Sequence, residues 1–143
     1  MTLPPVSPGD AFAFYGLLKQ GAAGMPENID LEATGAFEGP IRLLGTLHDL
    51  GGFPGMVQGE TLCHAVIWRI SDVSIVPALD DFEDVLPDDP AASLYRRERW
   101  PLLDDTATPT GETAHIYVFN QSTAQYPVIS DGNWPLDRGR TRK

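Results

Sequence analysis

The sequence AFAFYGLL at residues 11–18 contains a short run of apolar and aromatic side chains that stops at a glycine. Such a run, here residues 11–15, is typical of a buried strand, and Gly16 favours a tight bend directly after it. Successive backbone N–H groups at such a bend can hold an anion or a developing oxyanion. An ordinary turn from strand to loop has the same pattern, so both interpretations stand at this point.

Four more segments have the composition of β-strands, rich in aliphatic and aromatic side chains. They cover residues 41–48, 60–70, 94–103 and 113–120. Residues 51–56, rich in glycine and proline, are predicted to form a loop between the first two of these strands. A short helix is predicted at residues 27–34. With few helix signals and no internal repeat, the chain is predicted to fold as an α+β domain whose sheet curls or closes.

One helix is predicted to begin at Ser74, which can act as its N-cap. Ile75, Leu79 and Phe82 recur at helical spacing, with Leu86 beyond them, and form one apolar stripe. Pro77 lies in the first turn, where proline is tolerated.

The sequence LDDFED at residues 79–84 places a glutamate at the edge of this stripe. Because Glu83 follows Leu79 by four residues, its carboxyl is expected to lie partly out of water. Partial burial raises the pKa of a carboxyl and makes it a better proton acceptor near neutral pH. A plain acidic helix end is the alternative. Asp80 is interpreted as a structural group that accepts hydrogen bonds from nearby backbone.

The sequence SLYRRERW at residues 93–100 has the alternation of a strand. Tyr95, Arg97 and Arg99 share one face of it. On that face Tyr95 can point at a ligand, and the alternative is aromatic packing flanked by solvated arginines.

The chain has 143 residues, which predicts a single domain with loose termini at residues 1–10 and 137–143. Its net charge is −10, and four of its ten basic residues lie in the last six positions. Without a basic stripe elsewhere, a nucleic-acid partner is disfavoured. No apolar stretch is long enough to cross a bilayer, and residues 1–5 have neither the charged segment nor the apolar run of a signal sequence, so we expect a cytoplasmic protein with no membrane partner.

The histidines and the single cysteine do not predict a metal or thiol centre. Cys63 and His64 are neighbours in a predicted strand, so their side chains leave opposite faces and are poorly placed as a nucleophile and base. His48, His64 and His115 lie on separate strands without the close spacing of metal ligands. A lone cysteine forms no intrachain disulfide, which fits a reducing compartment. Motifs for phosphate binding and for the serine-hydrolase elbow are absent.

Taken in order, five motifs resemble those of the gamma-glutamylcyclotransferase-like family. They are Tyr15-Gly16-Leu17-Leu18 for Y-G-[ST]-L, Gly52-Phe53-Pro54 with Gly59-Glu60, residues 79–83 for L-D-x-x-E, Tyr95-Arg96-Arg97, and the aromatic strand at 115–120 with Gly132-Asn133-Trp134. The matches span residues 12–134, so their combination is far more specific than any one of them.

The resemblance implies a small mixed β-barrel, closed or partly open, with flanking helices. It also implies an enzyme that releases an amine or amino acid from a γ-glutamyl group and cyclises the remainder to 5-oxoproline. In that reaction Glu83 would be the general base and acid. The backbone at Tyr15, Gly16, Leu17 and Leu18 would hold the substrate carboxylate or the oxyanion, and Tyr95 would line the pocket. No cofactor or metal is expected, because the nucleophile belongs to the substrate.

Two positions depart from the family pattern. Leu17 replaces a serine or threonine, which removes a hydroxyl from the bend, and Asp84 replaces a glycine, which adds a charge beside Glu83. These departures keep open a non-catalytic protein that binds a small metabolite on the same barrel. A thiol-dependent enzyme that uses Cys63 is a third hypothesis.

Overall fold

The computed structural model describes residues 3–16, 18 and 29–134, and these contain five strands and two α-helices. The strands are β1 (Ala11–Phe14), β2 (Gly35–Asp49), β3 (Pro54–Ile70), β4 (Tyr95–Leu103) and β5 (Pro109–Phe119). The helices are α1 (Leu31–Thr34) and α2 (Val76–Phe82), and short 3-10 turns lie at Val73–Ile75 and Pro90–Ala92.

The five strands form a closed barrel in the order β1-β3-β2-β4-β5. Strands β1 and β5 meet in parallel at Phe12 and His115, and the other neighbouring pairs are antiparallel. Strands β2 and β4 pair only at Arg42 and Leu103. The predicted α+β fold with a small mixed barrel is therefore confirmed.

The β2–β3 hairpin is longer than the sequence predicts, and the predicted loop at residues 51–56 is too long. Strand β3 already begins at Pro54, and the pair His48 and Gly55 extends the ladder towards the turn. Proline is tolerated here because it is the first residue of the strand, where its missing N–H breaks little of the ladder. Strand β2 likewise begins before residue 41, at Gly35.

Both predicted helices are shorter in the structure. Only residues 31–34 of the predicted helix at 27–34 are helical, and residues 27 and 28 lie outside the described part. The predicted N-cap Ser74 is wrong, because the Asp72 side chain accepts from the Ser74 N–H and caps a 3-10 turn that precedes α2. Leu86 does not continue the apolar stripe, since it lies beyond the helix end with 43% of its surface exposed. Pro77 does lie in the first turn.

Alternate residues of the strands supply two apolar layers. The barrel interior contains, among others, Ala11, Ala13, Leu43, Cys63, Trp100 and Trp134. The outer layer, between the barrel wall and the helices, contains Phe12, Phe14, Trp68, Leu79, Tyr95 and Tyr117, among others. The small side chains of β1 thus face inwards and its aromatic side chains face the helices.

The segment after β5, up to residue 134, has no helix or strand of its own and is hydrogen-bonded to β2 and β3. The Ile129 N–H donates to the Leu47 carbonyl at 2.8 Å, and the His64 N–H donates to the Gly132 carbonyl at 2.8 Å. Neither helix among the described residues has the length and apolar character needed to span a bilayer.

Candidate active site

A pocket lies where β1 ends, between the barrel wall and the C-terminal end of α2. It encloses about 340 Å³ of empty space, including the part that opens to solvent. Its lining consists of residues 13–16, Leu18, Phe53, Pro54, Glu83, Tyr95 and Tyr117. Residues of β1, β3, β4 and β5 therefore meet the C-terminal end of α2 at this pocket.

The bend at Gly16 requires glycine because another residue approaches it closely. Its φ lies outside the left-handed region, but an added Cβ would lie 2.5 Å from the Pro54 Cγ and 3.0 Å from the Pro54 Cδ. Pro54 opens β3 and lines the pocket. The glycine thus allows the bend and the start of β3 to form adjacent walls of the pocket.

Replacing Gly16 with alanine is expected to distort this wall. Overpacking of this kind costs about 1–3 kcal/mol of unfolding free energy and displaces the neighbouring backbone. The companion variant Pro54→Ala removes both atoms that the new methyl group would meet. Urea denaturation of the single and double variants is the measurement. A double variant that loses the full sum of the two single losses would contradict this explanation.

Glu83 is held by a defined helix C-terminus. The Asp84 N–H donates to the Asp81 carbonyl at 3.0 Å, and the Val85 N–H donates to the Asp80 carbonyl at 2.9 Å. These two bonds, with Asp84 at a φ of 52°, form a Schellman motif in which Glu83 is the C-cap. Glu83 is only 9% exposed, so the motif presents its side chain to the pocket and not to bulk water.

Asp84 occupies the left-handed position that glycine fills most easily. Asp84→Gly is therefore expected to be more stable than Asp84→Ala by about 1 kcal/mol, because the Cβ of alanine is sterically strained in the left-handed conformation and glycine has no Cβ. Both variants remove the same charge, so their difference isolates the backbone. Urea denaturation at equal pH is the measurement, and equal midpoints for the two variants would count against the assigned motif.

Two tyrosine hydroxyls fasten the strands around the pocket. The Tyr15 hydroxyl donates to the Tyr117 carbonyl and accepts from the Met56 N–H at 3.2 Å. The Tyr95 hydroxyl donates to the Pro54 carbonyl. Tyr15 is thus a structural link between β1, β3 and β5, and Tyr95 links β4 to the start of β3.

A buried ion pair lies behind the pocket. The Asp80 Oδ1 accepts from the Arg97 Nε at 3.0 Å and from the Tyr117 hydroxyl at 2.6 Å, and the Asp80 Oδ2 accepts from the Arg97 Nη2 at 3.3 Å. The predicted structural role of Asp80 is present, but these donors are side chains and not backbone. Arg97 is 5% exposed, so the alternative of a solvated arginine is wrong at this position.

His115 extends this network to the N-terminal segment. Its Nδ1 lies 3.3 Å from the Arg97 Nη1, which can only donate, and its Nε2 lies 3.1 Å from the Asp10 Oδ2, which can only accept when ionised. The hydrogen of a neutral imidazole is therefore assigned to Nε2. Burial lowers the pKa of His115 below its usual 6.5; the Asp10 contact opposes this shift, and the charges of Arg97 and Arg99 add to it.

The lowered pKa of His115 predicts acid sensitivity. Below about pH 6.5 the unfolded chain binds a proton at this position that the folded chain excludes, so unfolding free energy falls as the pH falls. The slope from this group is at most about 1.4 kcal/mol per pH unit. Urea denaturation between about pH 7 and pH 5 measures it, and His115→Gln is expected to flatten the curve there. If His115→Gln had the same slope as the wild-type protein, His115 would not be the cause of the acid sensitivity.

The structure brings most of the sequence-predicted site residues to one pocket. Tyr15, Gly16, Leu18, Tyr95 and Glu83 all line it, whereas Leu17 lies outside the described residues.

Sequence reasoning missed Tyr117. Its signal was present in the alternation of β5, which turns Tyr117 and Phe119 to the same face as His115. The sequence analysis also assigns no role in the site to Arg97, which is buried.

The structure gives little support to thiol chemistry. Cys63 is fully buried in the barrel interior and is not part of the pocket lining. Burial raises the pKa of its thiol, which disfavours the reactive thiolate. Within the described ranges, no group of three or more histidine, cysteine, aspartate or glutamate side chains is arranged to hold a metal ion.

Comparison with known proteins gives the class to which this barrel and pocket belong. The family model described as gamma-glutamyl cyclotransferase, AIG2-like, matches residues 12–136. The chain therefore belongs to the gamma-glutamyl cyclotransferase, AIG2-like family, as the order of its motifs predicts.

Individual relatives agree with this membership. The chain is 29% identical over 120 residues to a Vibrio cholerae protein named "Putative gamma-glutamylcyclotransferase", covering 84% of this chain and 90% of that protein. The solution structure of protein ytfP from Escherichia coli matches with a TM-score of 0.60 and 22% identity, over 87% of this chain and 95% of that chain. A structure titled "Gamma-glutamyl cyclotransferase" matches with a TM-score of 0.53 and 16% identity, over 84% of this chain and 69% of that chain. The two structures show a shared fold.

Proposed function

We propose that the protein is a γ-glutamyl cyclotransferase that acts on a γ-glutamyl amine or small γ-glutamyl peptide and releases 5-oxoproline. The observation that carries this proposal is the meeting of Glu83 with the Gly16 bend and Tyr95 in one pocket. Family membership and the name of the Vibrio cholerae relative support the same reaction class.

Glu83 is the proton shuttle in this proposal. It takes a proton from the α-ammonium of the γ-glutamyl group, and the freed amine attacks the γ-carbonyl carbon. A tetrahedral oxyanion forms, and the bond from that carbon to the leaving nitrogen then breaks. Glu83 gives this proton to the leaving nitrogen, and then takes a second proton from the ring nitrogen, which still carries two hydrogens after the attack. Transfer of the second proton to the departing amine gives 5-oxoproline, an ammonium product and an ionised glutamate.

The bend and the pocket walls supply position and polarity. Backbone N–H groups at Tyr15, Gly16 and Leu18 hold the substrate carboxylate or the developing oxyanion. The aromatic walls, including Phe53 and Tyr95, limit access of water to the reacting atoms. The attack is intramolecular. A pocket that holds the α-amino nitrogen close to the γ-carbonyl carbon of the same molecule therefore removes much of the entropic barrier.

Direct measurement of product tests the proposal. The purified protein is incubated with a panel of γ-glutamyl amines and γ-glutamyl dipeptides, and 5-oxoproline is measured by mass spectrometry. We expect product from at least one member of the panel. Absence of product from every member, together with saturable binding of 5-oxoproline, would overturn the proposal in favour of a non-catalytic metabolite-binding protein.

A further inference from the structure

The hydroxyl hydrogen of Tyr117 has a fixed direction. Its oxygen lies 2.6 Å from the Asp80 Oδ1, and the Asp80 carboxylate is paired with the Arg97 guanidinium at 3.0 Å. A carboxylate in such a pair has no hydrogen to donate, so Tyr117 must be the donor. The hydroxyl therefore cannot offer its hydrogen to a molecule in the pocket.

The hydroxyl also stays protonated. Burial, the charge of Asp80 and its hydrogen bond, and the charge of Glu83 raise the pKa of Tyr117 well above its usual value of 10. Tyr117 and Glu83 line the same pocket. Tyr117 therefore contributes a neutral hydroxyl, whose oxygen keeps a lone pair for a further hydrogen bond, at a residue that lines the same pocket as the glutamate.

The backbone of Tyr117 is held as firmly as its side chain. Its carbonyl accepts from the Tyr15 hydroxyl, and its register is set by pairing with Arg97 on β4. Tyr117 is 4% exposed. The acceptor is therefore preorganised and does not have to be ordered when a ligand binds.

We propose that Tyr117 is a substrate-binding residue whose hydroxyl oxygen accepts a hydrogen bond from the α-amino nitrogen of the γ-glutamyl group. This inference rests on the proposed function. Asp80 and Arg97 act as positioning residues, because they turn the hydroxyl hydrogen away from the ligand.

The chemistry of the substrate decides which of its atoms meets Tyr117. An acceptor beside the carboxylate of Glu83 disfavours the carboxylate and carbonyl oxygens of the substrate and matches an N–H group. The α-amino nitrogen has three N–H bonds as an ammonium, gives two of these protons in turn to Glu83, and keeps the third as the ring N–H of 5-oxoproline. This third N–H, held by Tyr117, fixes the orientation of the nitrogen before and after those transfers.

A matched pair of ligands tests this contact without turnover. After ring closure the α-amino nitrogen becomes the ring N–H of 5-oxoproline, and the corresponding lactone, 5-oxotetrahydrofuran-2-carboxylate, has oxygen in its place. Binding of both ligands is measured by calorimetry for the wild-type protein, for Tyr117→Phe, and for Tyr126→Phe. Tyr126 is a surface tyrosine outside the pocket lining and serves as the control.

We expect wild-type protein and Tyr126→Phe to prefer the lactam by the same ratio. In Tyr117→Phe this ratio is expected to fall about fivefold, the factor that corresponds to one hydrogen bond of about 1 kcal/mol. In the product assay, the same variant should raise KM more than it lowers kcat. An unchanged lactam-to-lactone ratio in Tyr117→Phe, or no binding of either ligand to wild-type protein, would overturn the inference.

The binding ratio and the product assay separate two failures. If wild-type protein makes no 5-oxoproline but Tyr117→Phe still lowers the ratio, the catalytic proposal fails and the contact stands. If product forms but the ratio is unchanged, only the contact fails. Should Tyr117→Phe not fold, a nuclear Overhauser effect between the ligand N–H and the Tyr117 ring protons of the wild-type protein decides, and its absence would overturn the inference.

Discussion

Glu83→Gln is expected to lower kcat/KM for 5-oxoproline formation by about 10²–10⁴-fold, the usual contribution of a general acid-base group. Glutamine has nearly the same size and polarity as glutamate but cannot accept or return a proton at neutral pH. Since Glu83 is the C-cap of α2 through its backbone, the Schellman motif is expected to survive the change. Initial rates by mass spectrometry, with urea denaturation as a check of folding, measure the effect.

The matched control for this variant is Asp81→Asn. Asp81 lies two residues earlier at the same helix end, but its side chain is exposed and does not line the pocket. We expect this control to keep turnover close to that of the wild-type protein. Equal rates for Glu83→Gln and the wild-type protein would refute the role of Glu83 as proton shuttle.

Local patterns were enough to predict the glutamate and the bend. Leu79 is buried and Phe82 is partly buried on the same side of α2, so the burial of Glu83 follows from helical spacing within a few residues. The run of aromatic residues before Gly16 likewise predicts a strand that ends at that glycine. These features depend on interactions between residues close in sequence, and such interactions can be predicted from the residue pattern of one sequence.

Contacts between distant parts of the chain were not predictable in the same way. Alternation places Tyr95 and Arg97 on one face of β4, but whether Arg97 is solvated or buried depends on Asp80, which lies on α2. Tyr117 reaches Asp80 only because the β4–β5 register sets Tyr117 opposite Arg97. The start of β3 at Pro54 also depends on its pairing with Asp49 across the hairpin. The residues next to these positions in the sequence do not indicate which distant residues they contact.

Arg97→Met is expected to be the most destabilising single change considered, at about 3–5 kcal/mol of unfolding free energy. The substitution keeps much of the side-chain volume but leaves Asp80 as a buried carboxylate without its guanidinium partner. It also removes the donors to the Pro4 carbonyl at 2.6 Å and to the His115 Nδ1 at 3.3 Å. Urea denaturation with the linear extrapolation measures the loss.

Two further variants distinguish the effect of the uncompensated Asp80 charge on unfolding free energy from the effect of the lost Arg97 packing. Arg99→Met breaks the ion pair between Arg99 and Asp10 at 3.5 Å, in which the arginine side chain is 41% exposed, so a loss below about 1 kcal/mol is expected. In the double variant Arg97→Met/Asp80→Asn, the neutral amide can still accept from the Tyr117 hydroxyl, and no carboxylate remains uncompensated. We therefore expect the double variant to be more stable than Arg97→Met alone. A double variant less stable than Arg97→Met would show that the guanidinium acts through its packing and its bonds to Pro4 and His115, and not through the charge of Asp80.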